Sequence, residues 1–282
     1  MSARPAPAYL RPTRPGEALQ HLANGSFTIL AGGTDYYAAR VGRPLEDAIL
    51  DITAIRGLRD IASEIDHWRI GAAATWTNLL ETTLPPAFDG LKLAAREIGG
   101  VQIQNSGTLA GNLCNASPAA DGVPALLALE ASVELSSTRD VRRLPLAQFI
   151  LGPRKTARRP DELLTAILVP KPKHAACSHF LKLGARKYLV ISITMASVVI
   201  EHEDGLVRSA RVAVGACSPV AMRLGDLEAA LRGRRLDARL PEVATAAHLA
   251  PLAPIDDVRA SAEYRIDAAL TVVRRTLAGV CA

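Results

Sequence analysis

The residues best able to do chemistry in this sequence do it with their backbone. Gln104–Pro124 reads QNSGTLAGNLCNASPAADGVP and gathers Gly107, Gly111, Gly122, three Asn, two Ser, Thr108 and Asp121 without one Lys or Arg. Glycine lets a chain turn into positive φ and come close to a ligand. Successive N–H groups in such turns make a concave nest that suits a diphosphate. A second small-residue loop, Ala31–Asp35 (AGGTD), follows the apolar run Phe27–Leu30. Two cradles of this kind are what a large, doubly anionic nucleotide needs. A charge-assisted amide contact contributes about 1.5–3 kcal/mol, so several together hold such a ligand without a cluster of cations.

Other chemistries find no residues to carry them. Neither a GxGxxG fingerprint nor a GxxxxGK[ST] loop occurs, which removes the Rossmann and P-loop routes to a nucleotide. Cys114, Cys177, Cys217 and Cys281 show no CxxC pairing and no companion His at zinc spacing. A disulfide framework or an iron–sulfur centre on this chain is therefore not expected, and each Cys reads as a small buried hydrophobe. His21, His67, His174, His179, His202 and His248 form no ligand cluster and offer no catalytic base. The basic run Arg154–Arg159 (RKTARR) has two readings, a face toward phosphates or a partner and a solvated loop; the second is the expectation.

The elements around the two loops follow from pattern and punctuation. Pro15 opens a helix over Gly16–Asn24, with Ala18, Leu19 and Leu22 as its apolar stripe and Gly25 as its stop. A strand over Thr28–Leu30 then runs into AGGTD, and Thr34 or Asp35 is placed to cap a short helix through Arg40. That order of strand, glycine turn and helix N-terminus suits an anion. Ala48–Ile52 is a strand; Leu58–Ala62 and Trp68–Ala73 form a hairpin. Thr75 or Thr77 caps the helix carrying Leu79 and Leu80, and Phe88–Ile98 is a helix with Leu91, Ala94, Ala95 and Ile98 on one face. Gln104–Pro124 is expected as one long backbone-rich loop, with Val123–Leu129 helical and Ser132–Leu135 extended after it. Leu164–Val169 is a strand closed by Pro170, and Lys171–Ala176 is the linker. Beyond it, His179–Leu183, Ile191–Ile200 and Val207–Gly215 are strands, the last two joined at Asp204–Gly205. Helices over Leu224–Leu231, Leu240–Leu249 and Ala262–Leu277 complete a small α+β unit.

A chain of 282 residues holds about two domains. With 49% hydrophobic and 22% charged residues it reads as a soluble globular protein. Aromatic residues at 4% and scattered arginines behind a net charge of +5 argue against a nucleic-acid partner. No apolar run is long enough for a membrane span; the nearest, Tyr188–Ile200, is β-branched and interrupted by Ser and Thr. The N-terminal stretch lacks the apolar core of a signal peptide. The cytoplasm is the expected compartment.

Three motifs in order turn these readings into a resemblance. AGGTD at 31–35, QNSGTLAGNLCNASPAAD at 104–121 and SAEYRIDAALTVVRRTL at 261–277 resemble the FAD-binding medium subunit of the molybdenum hydroxylases. That family includes the carbon monoxide dehydrogenase medium subunit and the flavin domain of xanthine dehydrogenase. The similarity continues through FLKLGARKYLVISITMASVVIE at 180–201 and VRSARVAVGACSP at 207–219. It implies an α+β fold: a two-subdomain FAD-binding region of the PCMH (vanillyl-alcohol oxidase-like) type, 1–57 and 58–173, then a flavoprotein C-terminal domain of antiparallel sheet and helices, 174–282.

The resemblance also assigns residues. Ile29, Leu30, Ala31, Gly32, Gly33, Thr34, Asp35 and Tyr36 match the first FAD loop, which meets the diphosphate. Thr108, Ala110, Gly111 and Asn112 match the second, with Asn115 and Asp121 as contacts just after it. Leu164 and Lys182 match positions nearer the ring and ribityl chain, and Ile98 sits where relatives place an aromatic or apolar residue against the cofactor. Read alone, Asp121 before Gly122 has an Asx-turn residue as its alternative reading, and Lys182 a surface charge on a strand; the position of Asp121 after NASPAA favours the cofactor role. One departure stands out: relatives read GTIGGN where this chain has Ala110 in the fourth place. Alanine there is harmless if its φ is negative and costs about 1–2 kcal/mol if it must be left-handed; negative φ is the expectation.

The implied function is that of the FAD-binding electron-transfer subunit in a heterotrimeric molybdenum hydroxylase. A molybdenum cofactor on a large subunit and two iron–sulfur centres on a small subunit lie upstream of FAD; NAD, oxygen or another acceptor lies downstream. The implied assembly is a dimer of heterotrimers. In such a subunit the cofactor carries the redox chemistry while the protein binds and orients it, which agrees with the lack of a catalytic residue. Two rivals remain at this point: a self-contained flavin oxidoreductase, which needs a polar catalytic residue over the flavin, and a non-catalytic nucleotide-binding assembly protein.

Overall fold

The structure, a computed structural model, describes residues 8–281, so the stretch read for a signal peptide lies partly outside the described residues. Its first layer is a small parallel sheet. Strands β1 (Tyr9–Leu10), β2 (Thr28–Leu30) and β3 (Ile49–Asp51) stand in the order β1-β3-β2, with helix α1 (Pro15–Asn24) between the first two. Pro15 occupies the first helical turn, where a missing N–H costs nothing. Ala18 and Leu22, one turn apart, bury against Leu50, Ile52, Ile55 and Leu58. Edge strand β2 delivers the AGGTD loop from its carboxyl end. The helix expected after that loop is only a 3₁₀ turn, Ala38–Arg40, with no side-chain cap from Thr34 or Asp35. Tyr37 N–H donates instead to Gly33 O and Ala39 N–H to Asp35 O, both at 3.1 Å. Gly42 and Pro44 leave too few residues to offset the cost of starting a helix.

The second layer is an antiparallel sheet. Strands β4 (Ile61–Ser63), β5 (His67–Gly71), β6 (Ser132–Ser136) and β7 (Val141–Pro145) join β10 (Leu163–Pro170) in the order β4-β5-β10-β6-β7, while β8 (Ile150–Gly152) and β9 (Lys155–Thr156) form a separate hairpin. The hairpin expected from Leu58 starts later, at Ile61, and pairs Ile61 with Ile70. Six helices belong to this layer: α2 (Trp76–Glu81), α3 (Asp89–Glu97), α4 (Val101–Ser106), α5 (Leu109–Asn115), α6 (Gly122–Ala128) and α7 (Leu146–Phe149). Of the two candidate caps, Thr75 is the one used: its hydroxyl accepts the Asn78 N–H at 3.1 Å, and Asn78 returns the bond. The single loop expected over Gln104–Pro124 is largely helical. Thr108 caps α5 by accepting the Gly111 N–H at 3.0 Å, and Leu109 and Leu113, four residues apart, are wholly buried. Tertiary burial of that pair, rather than propensity, makes so short a helix.

The third layer holds β11 (Ala175–Leu183), β12 (Thr194–Glu203), β13 (Leu206–Gly215) and β14 (Met222–Arg223) in sequential antiparallel order. Asp204 and Gly205 turn between β12 and β13 with φ of 52° and 71°, the hairpin geometry their residue types suggested. Helices α8 (Gly225–Leu231) and α9 (Ala262–Val280) follow, but Leu240–Leu249 is not one helix. It divides into 3₁₀ turns at Leu240–Val243 and Ala246–Leu249, because Thr245 between them is extended. The apolar run from Tyr188 is likewise strand only from Thr194; Tyr188, Leu189 and Ile191 are exposed. The first eight residues of β12 are all buried. Met195 and Val199 face the core that holds α3 and α6, while Ala196, Val198 and Ile200 face the one that holds α8 and α9. A strand covered on both sides reads as a continuous apolar run rather than an alternating one.

Two stability predictions follow from this packing. Phe149, wholly buried in the central core, has no polar atom to rehydrate, so Phe149→Ala lowers unfolding free energy by about 3–5 kcal/mol in urea titration. Asp257 sits ahead of α9, where the Arg259 N–H and the Arg265 guanidinium hold its carboxyl down at about 2, against an ordinary 3.8. A depressed folded value means that the stabilisation is present above the unfolded value and is lost as pH falls through the folded one. Thermal melts should therefore show Asp257→Asn flattening the acid limb below about pH 4, with no added pH dependence above it.

Candidate functional site

The two glycine loops come from different sheets and meet. A Cβ placed on Gly32 would stand 1.9 Å from the carbonyl oxygen of Ser106 and 2.9 Å from the Cα of Gly107. Only glycine allows that approach of backbone to backbone. Gly33 beside it has φ of 69°, which turns the loop away from the strand line. The second loop is pinned in its turn: Trp76 N–H donates to Gly107 O at 3.2 Å, and Leu109 N–H to Ala74 O at 3.1 Å. Among the described residues, no backbone N–H from Gly32 to Tyr36 donates to a protein acceptor, and neither do those of Thr108 and Ala110. So many unpaired amides converging on one place form an anion nest. Ala110 lies in α5 and outside the positive-φ residues, so its Cβ brings no left-handed strain.

These loops wall a cavity of about 830 Å³. Its lining includes Ile29 through Tyr36, Ile98, Thr108, Ala110, Gly111, Asn112, Asn115 and Leu164, fifteen of the seventeen residues that the motifs pointed to. Leu164 reaches the wall because β10 shifts register between Leu164 and Ala166. The intervening Thr165 is held by Glu134 Oε1 at 3.0 Å and by Ser136 Oγ at 3.2 Å. A bulge of this kind re-aims neighbouring side chains. Asn112 brings a buried Oδ1 that has no hydrogen-bond partner among the described residues.

Asp121 and Lys182 are not on that wall. They are paired with each other, Lys182 Nζ to Asp121 Oδ2 at 2.6 Å, and both side chains are nearly inaccessible. Asp121 stands at the start of α6 without capping it, so it is no Asx-turn residue, and Lys182 is no surface charge. Ser192 Oγ donates to the other carboxylate oxygen at 2.6 Å. Burial pushes the Asp121 carboxyl above the ordinary aspartate range, against the pull of the Lys182 ammonium and the Ser192 hydroxyl. Lys182 Nζ also reaches Glu97 O at 3.4 Å, one residue before Ile98 on the wall.

The structure adds residues that the motifs did not single out. Phe27, Trp76, Ile103, Arg40, Arg154 and Arg158 line the same cavity. The expectation of a solvated loop at Arg154–Arg159 is thus corrected for two of its arginines. Arg154 bonds the Asn115 carbonyl and side chain at the end of α5, which draws the β8–β9 hairpin onto the cavity. Arg158 Nη1 spends its donors on the carbonyls of Arg159 and Glu162, at 3.0 and 2.8 Å. Arg40 stacks 3.9 Å from the Tyr36 ring and pairs with Asp47 at 2.8 Å. The charge run itself was the available signal for the hairpin. Trp76 had none, because it joins the site through a bridge between Thr75 and Thr108, far apart in sequence.

Comparisons with known proteins match the chain along nearly its whole length. Residues 3–172 match the family described as the FAD binding domain in molybdopterin dehydrogenase, and residues 179–280 match the CO dehydrogenase flavoprotein C-terminal domain. The chain belongs to this family. A xanthine dehydrogenase FAD-binding subunit of Escherichia coli is 31% identical over 96% of this chain and 94% of the relative. A caffeine dehydrogenase subunit beta from a Pseudomonas species is 31% identical over 96% and 93%. The solved structure of reconstituted CO dehydrogenase from Oligotropha carboxidovorans matches with a TM-score of 0.90 at 26% identity, covering 99% of each chain. This FAD-binding chain is an oxidoreductase subunit of the molybdenum hydroxylase type, with the α+β fold expected of it. Among the described residues no helix is long and apolar enough to cross a membrane, and no cluster of metal ligands occurs.

The contact between the loops is open to a direct test. Gly32→Ala forces the Ser106–Gly107 peptide away, and flavin absorbance per purified protein should fall about tenfold. Gly16→Ala, which meets nothing within 4 Å, should retain the full amount.

Proposed function

We propose that this chain is the electron-transfer subunit of a cytoplasmic heterotrimer, with a large molybdopterin-binding subunit and a small iron–sulfur subunit as partners. The assembly is a dimer of heterotrimers. Bound FAD supplies the two-electron chemistry between the iron–sulfur centres of the small subunit and a final acceptor, NAD, oxygen or another oxidant. What carries the reading is the nest of unpaired amides at Gly32–Tyr36, Thr108 and Ala110, inside a cavity of dinucleotide size. That the relatives bear the names of subunits supports the division of labour.

In this reading the amides of both loops take the diphosphate, each contributing about 1.5–3 kcal/mol as a charge-assisted bond. Asn112 and Asn115 bring polar groups to the same wall, and Arg154 and Arg158 add positive charge without leaving their protein partners. Ile98 and Leu164 give an apolar surface for the ring, and the Asp121–Lys182 pair stands behind Ile98 to fix the charge near it. Residues 1–57 and 58–173 are the two halves of the cofactor region, and 174–282 is the C-terminal domain. Among the described residues the cavity has no His and no metal cluster to activate a substrate of its own.

The test is the native complex. Affinity purification through this chain should bring down two further subunits, and the complex should contain FAD, molybdenum and iron, with flavin bleached on addition of the organic substrate. A chain that purifies alone, holds FAD and is reduced directly by a small substrate would refute the heterotrimer. Asp121→Ala should lower FAD affinity about tenfold by equilibrium titration, because the Lys182 ammonium beside Glu97 O loses the carboxylate that holds it in place.

A further inference from the structure

Helix α9 adds nothing to the cavity wall, yet Arg265 near its start is buried to 3% exposure and points into the body of the chain. Its Nη2 donates to Asp257 Oδ1 at 2.7 Å, which pairs the charge. Its Nη1 donates to two backbone carbonyls, Ile193 at 2.5 Å and Ala216 at 3.1 Å. The Nε has no partner among the described residues, and a buried donor left unpaired is destabilising. Filling a helix–sheet interface does not require such a side chain.

What the guanidinium grips lies one residue from the buried Ser192–Asp121–Lys182 network. Ile193 follows Ser192, which is 1% exposed and donates Oγ to Asp121 Oδ1 at 2.6 Å. Asp121 Oδ2 takes the Lys182 ammonium at 2.6 Å, and that ammonium also bonds Glu97 O beside the cavity. On its other side the Ser192–Ile193 peptide adjoins an exposed segment in which Leu189 holds a φ of 52°. Ile193 is otherwise fixed by its own N–H, donated to Leu183 O at 2.8 Å. The rigid fork of an arginine reaches carbonyl and carboxylate together, which a lysine head cannot do in the same geometry.

We propose that Arg265 is a positioning residue of the flavin site. By holding the Ile193 carbonyl it sets Ser192 Oγ on the Asp121 carboxylate, and through that carboxylate it sets the Lys182 ammonium. The C-terminal helix thus takes part in the cofactor site without touching it. The proposal rests on the assignment of Asp121 and Lys182 to the cofactor in the preceding subsection.

The experiment compares Arg265→Met, Arg265→Lys, Ser192→Ala, the Arg265→Met/Ser192→Ala double variant and Asp121→Ala, each in the purified full-length chain. The readouts are FAD dissociation by fluorescence titration and the flavin midpoint potential, with the thermal midpoint measured beside them. Arg265→Met and Ser192→Ala should each weaken FAD about tenfold and move the potential in one direction. The double variant should be no worse than the worse single, since both act on one carboxylate, and Arg265→Lys should recover part of the loss. Ser192→Ala at wild-type affinity and potential, or additive losses in the double variant, overturns the proposal. If Arg265→Met does not fold, Arg265→Lys and Ser192→Ala decide by the same readouts: a weakened, shifted flavin supports it and wild-type values refute it. An effect of Asp121→Ala without one of Ser192→Ala removes the role of Arg265 alone, whereas wild-type behaviour of both removes the cofactor assignment too.

Discussion

The constraint on which this molecule depends is the contact of Gly32 with the Ser106–Gly107 peptide, main chain against main chain. Each partner is brought by a different sheet, one by the edge strand of the parallel layer and one by the helices over the antiparallel layer. Because the two surfaces touch without side chains between them, their free N–H groups converge on one volume instead of lining two. Unpaired amides are expensive to keep in a fold. A fold that holds this many of them in one place is preorganised for an anion, and little is left to rearrange when one arrives.

The positive charges around the cavity have a different part. Arg40, Arg154 and Arg158 all have protein partners: an aspartate and an aromatic ring, the end of α5, and carbonyls of their own loop. They shape the wall and bias its potential, while directional bonding is left to the main chain. The buried Asp121–Lys182 pair is different again. Removing two charges from water is costly, and such a pair is weak evidence for stability. Its contact with the cavity wall is indirect, through the Lys182 bond to the Glu97 carbonyl next to Ile98.

Much of this was legible in the sequence because the signals were local. Phe27–Asp35 shows a strand, a glycine pair and a turn within nine residues, and Asp204–Gly205 marks its hairpin by residue type alone. The family motifs then carried the fold and fifteen of the wall residues. The failures are equally physical. Gln104–Pro124 is poor in helix-favouring bulk, and only the burial of Leu109 and Leu113 under the sheet makes α5 a helix. Leu240–Leu249 carries apolar residues at helical spacing, but Thr245 is extended and divides it. Trp76, Ile103 and the arginines of the β8–β9 hairpin reach the cavity through contacts between distant segments, which no local pattern records.

One more property follows from β12 and β13, whose residues alternate between the core of the cofactor layer and that of α9. The sheet is a party wall, and neither neighbour can be removed without baring apolar surface on the other. The short connection Lys171–His174 between β10 and β11 is therefore not a hinge between independent bodies. A protease that cuts there leaves two pieces still clasped together, and a gene shortened at that point encodes a fragment that cannot stay in solution by itself.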